Sequence, residues 1–104
     1  MHRIAFKMKL KPGCAVEYQK RHDAIWPELK ALLVLAGISD YAIFLDEETN
    51  TLFAVQKQKG TSSSQDLGAN AIVQRWWTYM SDIMETNNDH SPLTFALKEV
   101  FYLQ

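Results

Sequence analysis

Between Ile4 and Leu10 the apolar side chains fall at every second position, at Ile4, Phe6, Met8 and Leu10, with Arg3, Lys7 and Lys9 beside them. That is the period of a strand with one buried face. Pro12-Gly13 closes it. From Cys14 to Ala36 the spacing becomes helical and stops at Gly37, a residue suited to leaving a helix through positive φ. Pro27 lies inside that run. An interior proline loses a backbone hydrogen bond and clashes one turn back, so a kink or two abutting helices is expected there. Ser39 to Asp46 and Thr51 to Lys59 read as strands joined by the polar turn Glu47-Glu48-Thr49-Asn50, which makes a hairpin. Gly60 to Asn70 is small and polar and reads as a surface connection or a frayed helix start. A second helical stretch covers Ala71 to Met84, with Ile72, Trp76, Met80 and Ile83 on one face. Thr86 to Pro92 reads as a loop and Leu97 to Leu103 as a last strand.

The resulting order, β-α-β-β-α-β, is the ferredoxin-like α+β pattern, a four-stranded antiparallel sheet with its helices on one face. Both faces of the hairpin are apolar: Tyr41, Ile43 and Leu45 oppose Ala42 and Phe44, and Leu52 and Ala54 oppose Phe53 and Val55. Helices on one side cover only one face, and a sheet with two apolar faces is buried on both. The expectation is a homodimer, a dimeric α+β barrel in which the sheets of two copies pack together, with Val100-Phe101-Tyr102-Leu103 reaching across.

Length and charge narrow the functions available. With 104 residues there is room for one domain, spanning 1–104; folded-surface scaling gives about 6,000 Å² for this mass. Eleven basic and twelve acidic residues leave a net charge of -1, too little concentrated positive charge for nucleic acid. No stretch approaches the roughly 20 apolar residues of a membrane span. A single Cys14 closes no internal disulfide, and Arg3 and Lys7 interrupt any apolar leader, so a cytoplasmic setting is expected. There is no phosphate-binding glycine loop, no Cys-x-x-Cys and no His-Glu-x-x-His, so neither a cofactor nor a metal is expected. Ser62 to Ser64 lack a nucleophile elbow.

Candidate chemistry gathers on the first helix. At 100° per residue, Tyr18, His22, Ile25 and Leu29 share one arc with Trp26 at its margin, while Glu17, Lys20, Arg21, Asp23, Glu28 and Lys30 lie outside it. Tyr18 and His22, four apart, can line one cleft. Adjacent Trp76 and Trp77 point about 100° apart on a helix. One would fill the core while the other caps the dimer seam, or one would form a flat pocket wall suited to the C–H face of a sugar ring. Tyr41 could supply a hydroxyl to such a pocket.

The run Glu17-Tyr18-Gln19-Lys20-Arg21-His22-Asp23-Ala24-Ile25-Trp26-Pro27-Glu28-Leu29, with Tyr41-Ala42-Ile43-Phe44-Leu45-Asp46, Trp76-Trp77-x-Tyr79-Met80, Ile83-Met84-x-Thr86-Asn87 and Glu99-Val100-Phe101, closely resembles the L-rhamnose mutarotase family over nearly the whole chain. The resemblance implies a dimeric ferredoxin-like protein that interconverts the α and β anomers of L-rhamnose, with His22 as proton donor and Tyr18, Tyr41, Trp76 and Trp77 binding the sugar. It departs in the loop Thr86-Asn87-Asn88-Asp89-His90-Ser91-Pro92, where His90 could approach the pocket, and at Asp23, where Asn is also common. Anomer exchange needs only proton transfers, and an imidazole titrating near neutrality suits a reversible one. Two rivals share the fold and the aromatic residues: a cofactor-free or haem-dependent oxygenase, and a sugar-binding module without turnover.

Overall fold

The structure is a computed structural model describing residues 2–104. Its elements run β1 (His2–Lys9), α1 (Ala15–Asp23), α2 (Pro27–Leu35), β2 (Ile38–Asp46), β3 (Thr51–Gln58), a single 3-10 turn (Ser64–Asp66), α3 (Ala71–Met80) and β4 (Phe95–Leu97). The strands form one antiparallel sheet in the order β2-β3-β1-β4. Pro27 separates α1 from α2 and opens the latter at its first turn, where its missing N–H costs nothing. Gly37 leaves α2 at φ +86°.

The core lies between the helices and one sheet face. Phe6, Met8, Leu52 and Ala54 are buried from the sheet, Tyr18 and Leu29 from α1 and α2, and Val73, Trp76, Trp77 and Met80 from α3. The β2–β3 register changes by one residue between Ser39 and Ala42, at Asp40, whose φ is +47°. This bulge inserts one residue and reverses the alternation behind it. Ser39 therefore sits with Lys57 on the outer face, whereas Tyr41, Ile43 and Leu45 turn toward the helices.

Two expectations are corrected. The helix expected over Ala71 to Met84 ends at Met80, because the following backbone joins the end of β1: Leu10 bridges Met84, and the Lys11 N–H donates to the Ile83 carbonyl at 2.9 Å. Ile83 and Met84 stay buried, so the apolar periodicity is real but the backbone bonding is not helical. The strand expected over Leu97 to Leu103 instead spans Phe95–Leu97. Arg3 forks onto Glu99 at 3.0 Å and lies 3.5 Å from the centre of the Tyr102 ring. Residues three apart are roughly 10 Å apart in a straight strand, so the chain curls around one guanidinium instead of extending along β1. The 60–70 segment holds the 3-10 turn, whose capping box pairs Ser63 with Asp66.

The outer sheet face is open in the single chain. Phe44, Phe53, Lys7 and Phe95 form a row across it, with Ala42, Val55, Ala5 and Leu97 in the next. Phe44 is 64% exposed, and Val100, Phe101 and Leu103 are each more exposed still. The accessible surface, 6863 Å², exceeds the roughly 6,000 Å² expected for a compact chain of this mass.

Candidate active site

α1 presents its apolar arc to the sheet, which carries Tyr18 and His22 inward on successive turns. The two rings stack with centroids 4.3 Å apart and 28° between their planes. His22 Nδ1–H donates to the Tyr18 carbonyl at 3.1 Å. A carbonyl only accepts, so the proton of the neutral ring is fixed on Nδ1 and Nε2 is left to face other partners. Trp76 from α3 meets the imidazole edge-on, 5.5 Å between centroids and 88° between planes. Trp76 is itself walled by Trp26 at 5.1 Å and Tyr79 at 5.7 Å. Arg21 ties the back of α1 to the end of α3, donating to Glu17, Asp82 and the Tyr79 carbonyl at 2.7 to 2.8 Å. The two helices are thus braced on one side of His22 by charge and on the other by aromatic contact.

Tyr18, His22 and Trp76 border a cavity of about 890 Å³, within the range of small-ligand pockets. Tyr18, His22, Tyr41, Trp76 and Trp77 all line it, so the five residues singled out in the sequence converge on one site. Trp76 lies in the core as expected and both indoles border the cavity, but Trp77 does not cap a dimer seam. Both indoles are buried within the chain: Trp76 by the aromatic cluster, and Trp77 by Gly68, where a Cβ would come within 2.7 Å of the indole. The 60–70 segment, not a dimer seam, covers the second indole. His90 lies on the surface, hydrogen-bonded through Nδ1 to Thr78 Oγ1 at 3.0 Å, and is not among the cavity residues.

The electrostatics suit proton transfer at one group and neutral hydrogen bonding at the others. Burial lowers the His22 pKa below its usual 6.5, against the opposing pull of the Tyr18 carbonyl. Burial raises both phenols, Tyr18 and Tyr41, so they stay protonated and uncharged. Among the described residues no group of three His, Cys, Asp or Glu side chains is placed to hold a metal, and no helix is long and apolar enough to cross a membrane.

The site also contains residues that sequence reasoning passed over. Ser64 and Gln65, from the supposed connection, line the cavity. Gln56, at the centre of the sheet, is fully buried and bonds Ser64 twice at 2.9 Å. The Ser63-x-x-Asp66 spacing was the available signal, since it marks an ordered turn start.

A family model described as L-rhamnose mutarotase matches residues 3–103. Over 103 residues the chain is 62% identical to an L-rhamnose mutarotase of Phocaeicola vulgatus, covering 99% of each. Over 104 residues it is 57% identical to one of Formosa agariphila, covering 100% of each. The crystal structure of an L-rhamnose mutarotase from Formosa agariphila matches with a TM-score of 0.93 at 54% identity, covering 100% of both chains.

Proposed function

The chain belongs to the L-rhamnose mutarotase family, and from that membership we propose that it exchanges the α and β anomers of L-rhamnopyranose with His22 as proton donor to the ring oxygen. The observation that carries the mechanism is the fixed imidazole: Nδ1–H is committed to the Tyr18 carbonyl, so any proton delivered to a ligand leaves from Nε2. The ring opens when His22 protonates the ring oxygen while solvent water takes the proton of the anomeric hydroxyl. The aldehyde then turns and closes on its other face, the ring-oxygen proton going back to the same nitrogen as water returns a proton to the new anomeric oxygen. Trp76 and Trp77 offer flat walls for the sugar's C–H face, and the uncharged hydroxyls of Tyr18 and Tyr41 are hydrogen-bonding groups for its oxygens. Of the isomerase, oxygenase and binding-module readings, family membership supports the isomerase. Saturation-transfer NMR of rhamnose tests it: adding the protein should raise the α–β exchange rate above that in buffer, and an unchanged rate would refute turnover.

The pH dependence has a definite sign. A donor must be imidazolium, and the His22 pKa is lowered by burial. A lowered pKa makes that imidazolium a stronger acid for a weakly basic ether oxygen, at the cost of its population. The kcat/KM for anomer exchange should therefore fall as pH rises through a midpoint below 6.5. A rise through the same midpoint would make His22 the base.

The finer architecture belongs to the same proposal. A single 1–104 domain of ferredoxin-like type is supported by the antiparallel order β2-β3-β1-β4 with all three helices on one face. A homodimer is supported by the uncovered apolar rows and by the exposed segment 100–103, which have no cover in the single chain. The lone Cys14 suits a cytoplasmic location. Sedimentation at micromolar concentration should give about twice the 12.0 kDa chain mass; a mass near that of one chain would remove the dimer.

A further inference from the structure

The hydrogen-bond polarity behind Tyr41 can be followed atom by atom. The Ser64 backbone N–H can only donate, and it donates to Gln56 Oε1 at 2.9 Å. That orients the buried amide, so Gln56 Nε2 must be the donor in its 2.9 Å contact with Ser64 Oγ. Gln65 Nε2 donates to the same Oγ at 3.2 Å. With both lone pairs of Oγ engaged, the single Ser64 hydroxyl proton has one remaining direction, toward the Tyr41 oxygen 3.5 Å away. The phenol oxygen then accepts from Ser64, and its own proton is left to point elsewhere. The bulge at Asp40 that turns Tyr41 toward the helices places it beside Gln56, so fold and polarity agree. Ser64 is more than nine-tenths buried and Gln56 wholly so, and the two bonds between them are buried.

We infer that Ser64, held by Gln56, is a positioning residue that fixes the Tyr41 hydroxyl as a hydrogen-bond donor to an oxygen of the bound sugar. This rests on the reading that Tyr41 binds substrate. It gives the 60–70 segment a second role beyond covering Trp77, because the residue that sets the donor comes from the turn at Ser64–Asp66. A ligand oxygen that must itself donate at that point would meet the wrong end of the phenol, so Ser64 also acts on specificity.

The test compares two side chains of one shape. Ser64→Thr keeps the hydroxyl and Ser64→Val removes it, with Ser64→Ala as a smaller hydroxyl-free control should the branched variants fold poorly. One neutral hydrogen bond corresponds to roughly a three- to tenfold change. Anomer exchange should show kcat/KM that much lower in Ser64→Val than in Ser64→Thr, with Ser64→Ala following Ser64→Val. In a Tyr41→Phe background the Thr–Val difference should vanish, because the group through which Ser64 acts is gone. Equal kcat/KM for Thr and Val with Tyr41 present would overturn the inference, as would a difference that survives undiminished in Tyr41→Phe. If Tyr41→Phe alone leaves kcat/KM unchanged, the reading of Tyr41 as a sugar ligand fails and the inference falls with it; that outcome is distinct from the other two.

Discussion

His22→Ala should abolish most of the acceleration of anomer exchange while leaving the fold intact. A positioned acid or base contributes typically 10²–10⁴-fold, equivalent to about 3–5 kcal/mol of barrier, and here one imidazole is assigned the whole transfer to the ring oxygen. Its removal should lower kcat by that factor. Affinity for rhamnose should change much less, since the walls from Trp76 and Trp77 and the hydroxyls of Tyr18 and Tyr41 remain. Stability should change modestly as well, because His22 is half-buried and its one protein hydrogen bond goes to a carbonyl that is part of the helix. Saturation-transfer NMR gives the rate and calorimetric titration the affinity. A variant that exchanges anomers at the parent rate would remove His22 from the mechanism, and a variant that lost binding to the same extent as turnover would make it a ligand for the sugar instead.

The second large effect is expected at Trp76. This ring is the hub of the aromatic cluster, meeting His22, Trp26 and Tyr79 within 5.7 Å, and it is buried against the core. Truncating a buried Trp to Ala costs about 3–5 kcal/mol. Because one side of Trp76 already borders the cavity, the low end applies, about 3 kcal/mol, or roughly 12–24 °C in Tm for a chain of this size. That is a large fraction of the 5–15 kcal/mol typical of a whole domain. Affinity should weaken on the order of tenfold from the lost apolar wall. Trp76→Phe, which keeps a ring at the hub, should show a smaller loss in both measurements. Thermal unfolding and titration at a temperature where both variants are folded separate the two effects; a Trp76→Ala Tm within a few degrees of the parent would mean that the cluster is not what holds α1 against α3.

The parts of this molecule that the sequence made legible are those decided within a few residues. The alternation of Ile4, Phe6 and Met8 is a strand whatever lies beyond it, Pro27 divides a helical run by its own ring, and Gly37 ends one. The Tyr18–His22 pairing follows from helical spacing alone, which is why the centre of the site was visible. What escaped was decided by distant partners. Met84 carries a helical period, yet its backbone pairs with Leu10. Glu99 and Tyr102 have strand-like neighbours, yet both turn onto Arg3, nearly a hundred residues earlier. The 60–70 segment has the composition of a connection, and only the tertiary fold brings Gly68 onto Trp77 and Ser64 onto Gln56. The inward placement of Tyr41 depends on the bulge at Asp40, which sends Ser39 to the other face and leaves no mark in the alternation.

The most direct measurement is a crystal structure of the protein with L-rhamnose bound. The ring oxygen should lie about 2.6–3.2 Å from His22 Nε2, with the sugar's C–H face against the Trp76–Trp77 wall. A sugar seated elsewhere, or one in this cavity with its ring oxygen beyond reach of that nitrogen, would contradict the account.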